Sequence, residues 1–137
     1  MKSINVVAAI IELDGRVLCV QRAVNKRAYI SEKWEFPGGK IEEGETEHQA
    51  IVREIQEELR LDITVDEKLL TVDHTYPDFH LVMDCFRCHP HGEGIPDVTL
   101  TEHINSCWLS VDSDQFRCLD WAAADLPVVD VLRSRGR

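Results

Sequence analysis

The sequence predicts an α/β fold, a mixed β-sheet with helices on both faces. Three observations lead there. Short runs rich in Val, Ile and Ala recur along the 137 residues, the first at 3–13. The stretch from Thr46 to Leu61 carries apolar residues at helical spacing. Strands and two main helices alternate irregularly, which suits a mixed sheet. A chain of this length suits one domain, expected to span 1–137. At about 150 residues a chain buries roughly 68–70% of the surface its unfolded form exposes, enough for a sizeable core.

The elements follow in order. Residues 3–13 read as a strand, Asp14-Gly15 as a tight turn, and Arg16–Gln21 as the second arm of a hairpin. Residues 23–33 are polar and read as a loop. Trp34-Glu35-Phe36 is a short extended piece, and Pro37-Gly38-Gly39 is expected to break regular structure. Thr46, with Gln49 three residues on, fits a capping box that opens a helix. Ala50, Ile51, Ile55 and Leu59 give that helix one apolar face, and it ends near Leu59–Leu61. Residues 62–73 and 79–89 read as strands around Tyr76-Pro77-Asp78, and His91–Pro96 as a loop. Ile104–Leu109 reads as a strand and Asp112–Cys118 as a short helical turn. Ala122–Arg133 is expected to be a final helix, with Pro127 tolerable only near its first turn. The basic end, Arg133-Ser134-Arg135-Gly136-Arg137, reads as a frayed tail.

The formal charge is −10. Such a surface repels DNA and RNA, whose binding relies on neutralising phosphates, so a nucleic-acid polymer is not the expected partner. No apolar run approaches the roughly 20 residues needed to span a bilayer, so no membrane is expected either. The acid is uneven: residues 42–58 hold seven Glu and one base, Arg53, so −6 falls in that short segment. Glu54, Glu57 and Glu58 share one helix face. Like charges there cost a helix roughly 0.2–0.5 kcal/mol per pair. From the acid alone, a solvated face and a site for a hard divalent cation are both open.

Five Cys (19, 85, 88, 107, 118), an odd number with no export signal, predict free thiols and a cytoplasmic setting. Cys85-Phe86-Arg87-Cys88-His89 spells the C-x-x-C-H haem-attachment motif, and zinc is the other reading of the pair. The segment reads as a strand, however, and positions i and i+3 of a strand face opposite sides. Neither haem nor zinc is expected there.

Counted from Gly39, the chain runs five residues to Glu45, seven more, then Arg53-Glu54-Ile55-Gln56-Glu57-Glu58-Leu59-Arg60-Leu61. This resembles the Nudix box, G-x5-E-x7-R-E-U-x-E-E-x-G-U, with U a bulky aliphatic. Arg60 is the one departure, standing where the pattern has Gly. A residue just past a helix end is often left-handed, which costs a non-Gly residue about 1 kcal/mol. The N-terminal hairpin, Trp34 to Lys40, the Glu102-to-Trp108 spacing and Ala124-Asp125-Leu126-Pro127 look like the MutT-type branch, closest to its CTP pyrophosphohydrolase members. The resemblance implies the Nudix fold, an α/β/α sandwich with a mixed sheet and the box helix on one face.

It also implies an activity: Mg²⁺-dependent cleavage of a nucleoside triphosphate to NMP and pyrophosphate, with Mn²⁺ as a substitute metal. Such enzymes serve nucleotide pool sanitation. Carried onto this chain, the metal ligands are Glu54, Glu57, Glu58 and the Gly38 carbonyl, with Glu102 completing the site or acting as a base, set against the alternative of a loop-edge surface acid. Glu54 or a neighbouring carboxylate would activate water. Arg53 would orient a Glu through a bidentate ion pair, with Glu45 as the partner. Lys40 and Arg22 are the candidates for phosphate contact, set against the alternative of ordinary surface cations.

Asp125 stands where 8-oxo-dGTP-cleaving members carry a base-reading Asn, and cytidine-preferring members look like this chain. It reads as a base contact, as a helix N-cap, or both. Tyr76 and Phe79 would stack on the base or serve as core aromatics. The expected substrate is (d)CTP or a 5-modified cytidine nucleotide. The alternatives are 8-oxo-dGTP, another Nudix substrate such as a dinucleoside polyphosphate, ADP-ribose or a nucleotide sugar, and a non-enzymatic nucleotide-sensing domain. The expected assembly is a monomer or weak dimer.

Overall fold

The computed structural model describes residues 1–135. Seven strands form one mixed sheet. The strands are β1 (Lys2–Leu13), β2 (Arg16–Arg22), β3 (Trp34–Glu35), β4 (Gly38–Lys40), β5 (Ile63–Thr75), β6 (Phe79–Pro90) and β7 (His103–Ser110). The main path runs β3-β2-β1-β6-β5, with β4 on β1 and β7 on β2. Among the described residues β1 and β6 are the one pair of named strands that runs parallel, from Lys2 against Phe79 to Ile11 against Cys88. The helices are α1 (Glu47–Leu59), α2 (Asp114–Cys118) and α3 (Leu126–Arg135).

Strand alternation in β1 feeds two cores. Val7, Ala9 and Ile11 pack with Ala50, Ile51, Ile55 and Leu59 of α1. Ala8 and Ile10 face the other way, into a core with Phe116 of α2 and Val128, Val129 and Leu132 of α3. Ala50, Ile51, Ile55 and Leu59 of α1 are fully buried, whereas Val52, on the outer side of the helix, is exposed. Burying each large aliphatic side chain contributes about 1.5–3 kcal/mol, which fixes the helix to the sheet despite its like-charged outer face. The expected α/β/α layering with the box helix on one face is therefore the observed one.

Three local expectations change. Gly38–Lys40 is a strand rather than a break, pairing with Val6–Ala8 of β1. A Cβ on Gly38 would stand 2.0 Å from the Val7 carbonyl oxygen, so the missing side chain is what lets the two backbones meet. The last helix begins at Leu126, after a 3₁₀ turn at Ala123–Asp125. The cause is upstream: Trp121 bridges to Trp34, and the Ala122 N–H donates to the Trp34 carbonyl at 2.9 Å. Pro127 is the second residue of α3, where its missing N–H costs nothing. Finally, Arg133, Ser134 and Arg135 form the last turn of α3 and are not a frayed tail. Gly136 and Arg137, the rest of that expected tail, lie outside the described residues.

Cys85 lies in the α3-side core and Cys88 in the α1-side core, so their thiols diverge. All five cysteines are free thiols. Among the described residues no helix is long and apolar enough to cross a membrane.

Candidate active site

Helix α1 starts as its sequence dictates. The Thr46 hydroxyl accepts from the Gln49 N–H at 3.1 Å, and the Gln49 side chain accepts from the Thr46 N–H at 2.9 Å. The helix ends on Arg60, which is left-handed at φ 53° and donates its N–H to the Gln56 carbonyl. The departure from Gly thus leaves the backbone conformation in place, with a side chain in a region that favours Gly.

Arg53 ties the helix to the preceding loop. Its Nε donates to Glu45 Oε2 at 2.6 Å and its Nη2 to Glu45 Oε1 at 2.9 Å, a bidentate pair. Nη2 also reaches the Lys40 carbonyl at 3.1 Å. Nη1 donates to Glu54 at 2.9 Å and to Glu57 at 3.2 Å. This guanidinium, helped by the Glu42 N–H, holds the Glu45 carboxyl down at about 2.

The carboxylates differ in environment. Glu57 is the outer one, 59% exposed and resting on Arg53. The Glu54 carboxylate lies behind Gly39, where a Cβ would meet its Cδ and Oε2 at 2.5 Å. Burial pushes the Glu54 carboxyl up, against the pull of Arg53. Glu58 is buried at 6% exposure, and its Oε2 has no hydrogen-bond partner. Burial first, then the charges of Glu54, Glu35 and Glu102, push the Glu58 carboxyl up to about 9.

Glu102 is brought to Glu58 by a clasp. The Thr101 hydroxyl donates to the carbonyls of Glu57 (2.8 Å) and Glu58 (3.0 Å), and the Thr101 and Thr99 N–H groups bond the carbonyls of Glu58 and Leu59. These are the C-terminal carbonyls that a helix leaves unpaired.

Among the described residues no three His, Cys, Asp or Glu side chains already converge as a metal cluster. The donor chemistry nevertheless fits a hard divalent cation. Every group here is an oxygen, and the buried Glu58 Oε2 lacks a partner while other acids crowd it. Glu54, Glu57, Glu58, Glu102 and the Gly38 carbonyl are the groups available to hold one.

A cleft of about 440 Å³ runs from this cluster across the sheet. Gly38, Gly39, Lys40, Glu58 and Glu102 line one end, and Tyr76, Phe79 and Asp125 the other. Arg22, Glu35 and His103 also line it. Asp125 is buried, and its Oδ1 accepts from the Phe36 N–H at 3.1 Å, so this oxygen turns to the sheet rather than capping α3. Burial raises the Asp125 carboxyl well above the usual carboxylate range. Tyr76 is both core and lining: it stacks on Tyr29 at 5.1 Å, and its hydroxyl accepts from the Ala124 N–H at 3.0 Å. Phe79 lies 5.1 Å from Tyr76 and is capped by the Arg27 guanidinium at 5.5 Å. Arg27 pairs in turn with Asp78 at 2.7 Å. Arg22 donates to Glu35 at 3.3 Å, and the Lys40 side chain is exposed at the acidic end.

The structure therefore gathers Gly38, Glu58, Glu102, Lys40, Arg22, Asp125, Tyr76 and Phe79 on one cleft. Arg53, Glu45, Glu54 and Glu57 do not line it: Glu54 lies directly behind Gly39, and Arg53 ties Glu45, Glu54 and Glu57 into one network beside it. Sequence reasoning missed Glu35, His103 and Thr101. Glu35 had a readable signal: it is an acid between Trp34 and Phe36 on an extended piece, so it faces away from the core that takes those aromatics.

Comparison with known proteins is consistent with this geometry. A family model described as the NUDIX domain matches residues 1–130. The chain is 35% identical over 133 residues to a CTP pyrophosphohydrolase of Escherichia coli, covering 95% of this chain and 91% of the relative. It is 38% identical over 86 residues to an 8-oxo-dGTP diphosphatase of Proteus vulgaris, covering 62% of this chain and 75% of the relative. The solution structure of the E. coli ORF135 protein superposes with a TM-score of 0.78 at 31% identity, covering 98% and 91% of the two chains.

Proposed function

The chain belongs to the Nudix family of hydrolases, and from that premise we propose that it cleaves (d)CTP or a 5-modified cytidine nucleotide to the monophosphate and pyrophosphate. Residues 1–137 would act as one domain in the cytoplasm, a setting that the free thiols support. Glu54, Glu57, Glu58, Glu102 and the Gly38 carbonyl would hold Mg²⁺ or Mn²⁺. Such a cation neutralises the triphosphate, polarises a phosphoryl oxygen and lowers the pKa of a bound water.

The protein's own part is positioning and charge. Arg53 and Glu45 lock the loop after β4 against α1, so Gly38, Gly39 and Glu54 keep a fixed relation. Lys40 and Arg22 bring positive charge to the phosphates. Glu54 or Glu58 takes the proton from the attacking water.

The observation that carries the cytosine reading is the Phe36 N–H bonded to Asp125 Oδ1. That bond makes Oδ1 an acceptor and leaves any proton on Oδ2. The buried acid then accepts at one oxygen and donates at the other. Cytosine matches this order with its N4 amino donor and N3 acceptor, and uracil reverses it. The second reading is 8-oxo-dGTP. An ionised Asp125 would accept from both donors of a guanine edge, and the Proteus relative is named for that substrate.

A nucleotide panel with and without Mg²⁺, with products identified, tests the proposal. The expected result is metal-dependent release of NMP and pyrophosphate, with kcat/KM for CTP or dCTP at least about tenfold above the uracil counterpart. Asp125→Ala should erase that ratio. Equal turnover of cytosine and uracil nucleotides by the wild type would overturn the base assignment, and metal-independent turnover the site assignment.

A further inference from the structure

We propose that Glu35, clamped by Arg22 and His103, reads the sugar of the nucleotide by accepting a hydrogen bond from a pentose hydroxyl. The inference rests on the nucleotide reading above and adds a specificity residue to it.

Position is the first argument. Glu35 lines the same cleft as the acidic cluster and Asp125. The next residue, Phe36, donates its N–H to Asp125 Oδ1 at 3.1 Å, and His103, which follows Glu102 in the chain, bonds the Glu35 carboxylate itself at 3.0 Å, so Glu35 sits between the two ends. A nucleotide with its phosphates at the Glu58 end and its base at the Asp125 end must lay its pentose between them, beside Glu35.

Chemistry is the second. An ionised carboxylate only accepts hydrogen bonds. It repels a phosphate, so it does not serve that end of the substrate. The base edge already has Asp125. What remains in the middle of a nucleotide is the hydroxyl edge of the sugar, which donates.

Preorganisation is the third. One Glu35 oxygen accepts from Arg22 Nη1 at 3.3 Å and the other from His103 Nε2 at 3.0 Å. The His103 side chain is only 5% exposed, and its Nδ1 is buried without a partner. Its one hydrogen bond is therefore the one that fixes Glu35. Each carboxylate oxygen keeps a second lone pair free, so the clamp sets the direction of the acceptor without exhausting it. Arg22 and His103 are positioning residues in this scheme.

The test compares CTP, dCTP and 2′,3′-dideoxy-CTP in wild type, Glu35→Ala and the isosteric Glu35→Gln. For the wild type, kcat/KM should fall about tenfold or more at the step that removes the hydroxyl being read. In Glu35→Ala the three sugars should come within about threefold of one another, and in Glu35→Gln the ratio should shrink. The cytosine-to-uracil ratio at fixed sugar should stay at its wild-type value in both, which a merely loosened fold would not preserve. A wild type indifferent to all three sugars, or variants that keep the wild-type sugar ratio, would overturn the assignment. Should another base be the better substrate, the same sugar series is run on that base. Loss of the cytosine preference with an intact sugar ratio then counts against the Asp125 reading alone.

Discussion

Gly39→Ala is the sharpest perturbation this site allows, because it acts on Glu54 without touching a charge. The new Cβ would stand 2.5 Å from Glu54 Cδ and Oε2 and 2.8 Å from Oε1, where ordinary contact begins at 3.4 Å. The carboxylate must retreat by about 0.9 Å, pulling against the Arg53 Nη1 bond at 2.9 Å. A displacement of about 1 Å at a reacting group costs on the order of 10²-fold in rate, or about 2.7 kcal/mol of activation free energy. The fold should survive. No left-handed φ is required at Gly39, and Gly→Ala at a compatible site contributes about 0.4–1 kcal/mol of stability through the unfolded chain. Gly38→Ala is the contrasting control. Its Cβ would meet the Val7 backbone oxygen at 2.0 Å, and backbone cannot swing away, so β4 should detach from β1 with a loss of more than about 2 kcal/mol. Steady-state kinetics with Mg²⁺ and thermal melts on both variants separate the cases. Near-wild-type kcat/KM in a folded Gly39→Ala protein would refute the placement of Glu54 in the working site. Equal thermal destabilisation of the two variants would refute the distinction between side-chain and backbone neighbours.

Two further outcomes follow from named groups. Arg60→Gly removes a side chain from a left-handed residue at φ 53°, so it should raise stability by about 0.5–1 kcal/mol, or about 1–4 °C in melting temperature. A melting temperature unchanged or lowered would show that the Arg60 side chain offsets its strain. In chelator-treated protein the melting temperature should fall as pH rises from about 5 to 9. The unfolded chain gives up carboxyl protons near pH 4. Folded Glu58 keeps its proton until about 9, and folded Asp125 keeps one well above the ordinary value. The native state thus binds more protons than the unfolded state across that window, and stability declines with pH. Glu45, held down at about 2, acts only below it. Glu58→Gln should flatten the slope, and an unchanged slope in that variant would count against the assignment.

Legibility in the sequence tracked the range of the interaction. Helix α1 could be read nearly to the residue because its cap, its apolar face and its Arg53–Glu45 pair all lie within a short stretch of chain. Strand β4 could not, since two glycines after a proline look like a break until Val6–Ala8 is known to lie beside them. The 3₁₀ turn at Ala123–Asp125 sits in a good helical stretch. It was overridden by Trp121 and Ala122 being held on β3, far away in sequence. The site divides the same way. The box acids follow from local spacing, whereas the His103–Glu35 bond joins residues 68 apart and the Phe36–Asp125 bond residues 89 apart. Such contacts exist only once the sheet has closed, so no local pattern announces them.

The parallel pairing of β1 with β6 has a kinetic consequence. It joins the first strand to one that begins at Phe79, with Ser3 opposite His80 across 77 residues. Contacts of that span must wait for a long loop to close, which slows folding. A nascent chain displays the apolar Val7–Ile11 with one edge unpaired until β6 has been made. In that interval the exposed edge is open to pairing with other chains. The glycines reach the cleft through β4 on β1, and Phe79 and Met83 reach it through β6. The two walls of the cleft therefore meet only in that closure. Commitment to the fold and assembly of the nucleotide cleft are the same late event, and a chain stopped short of Phe79 has neither.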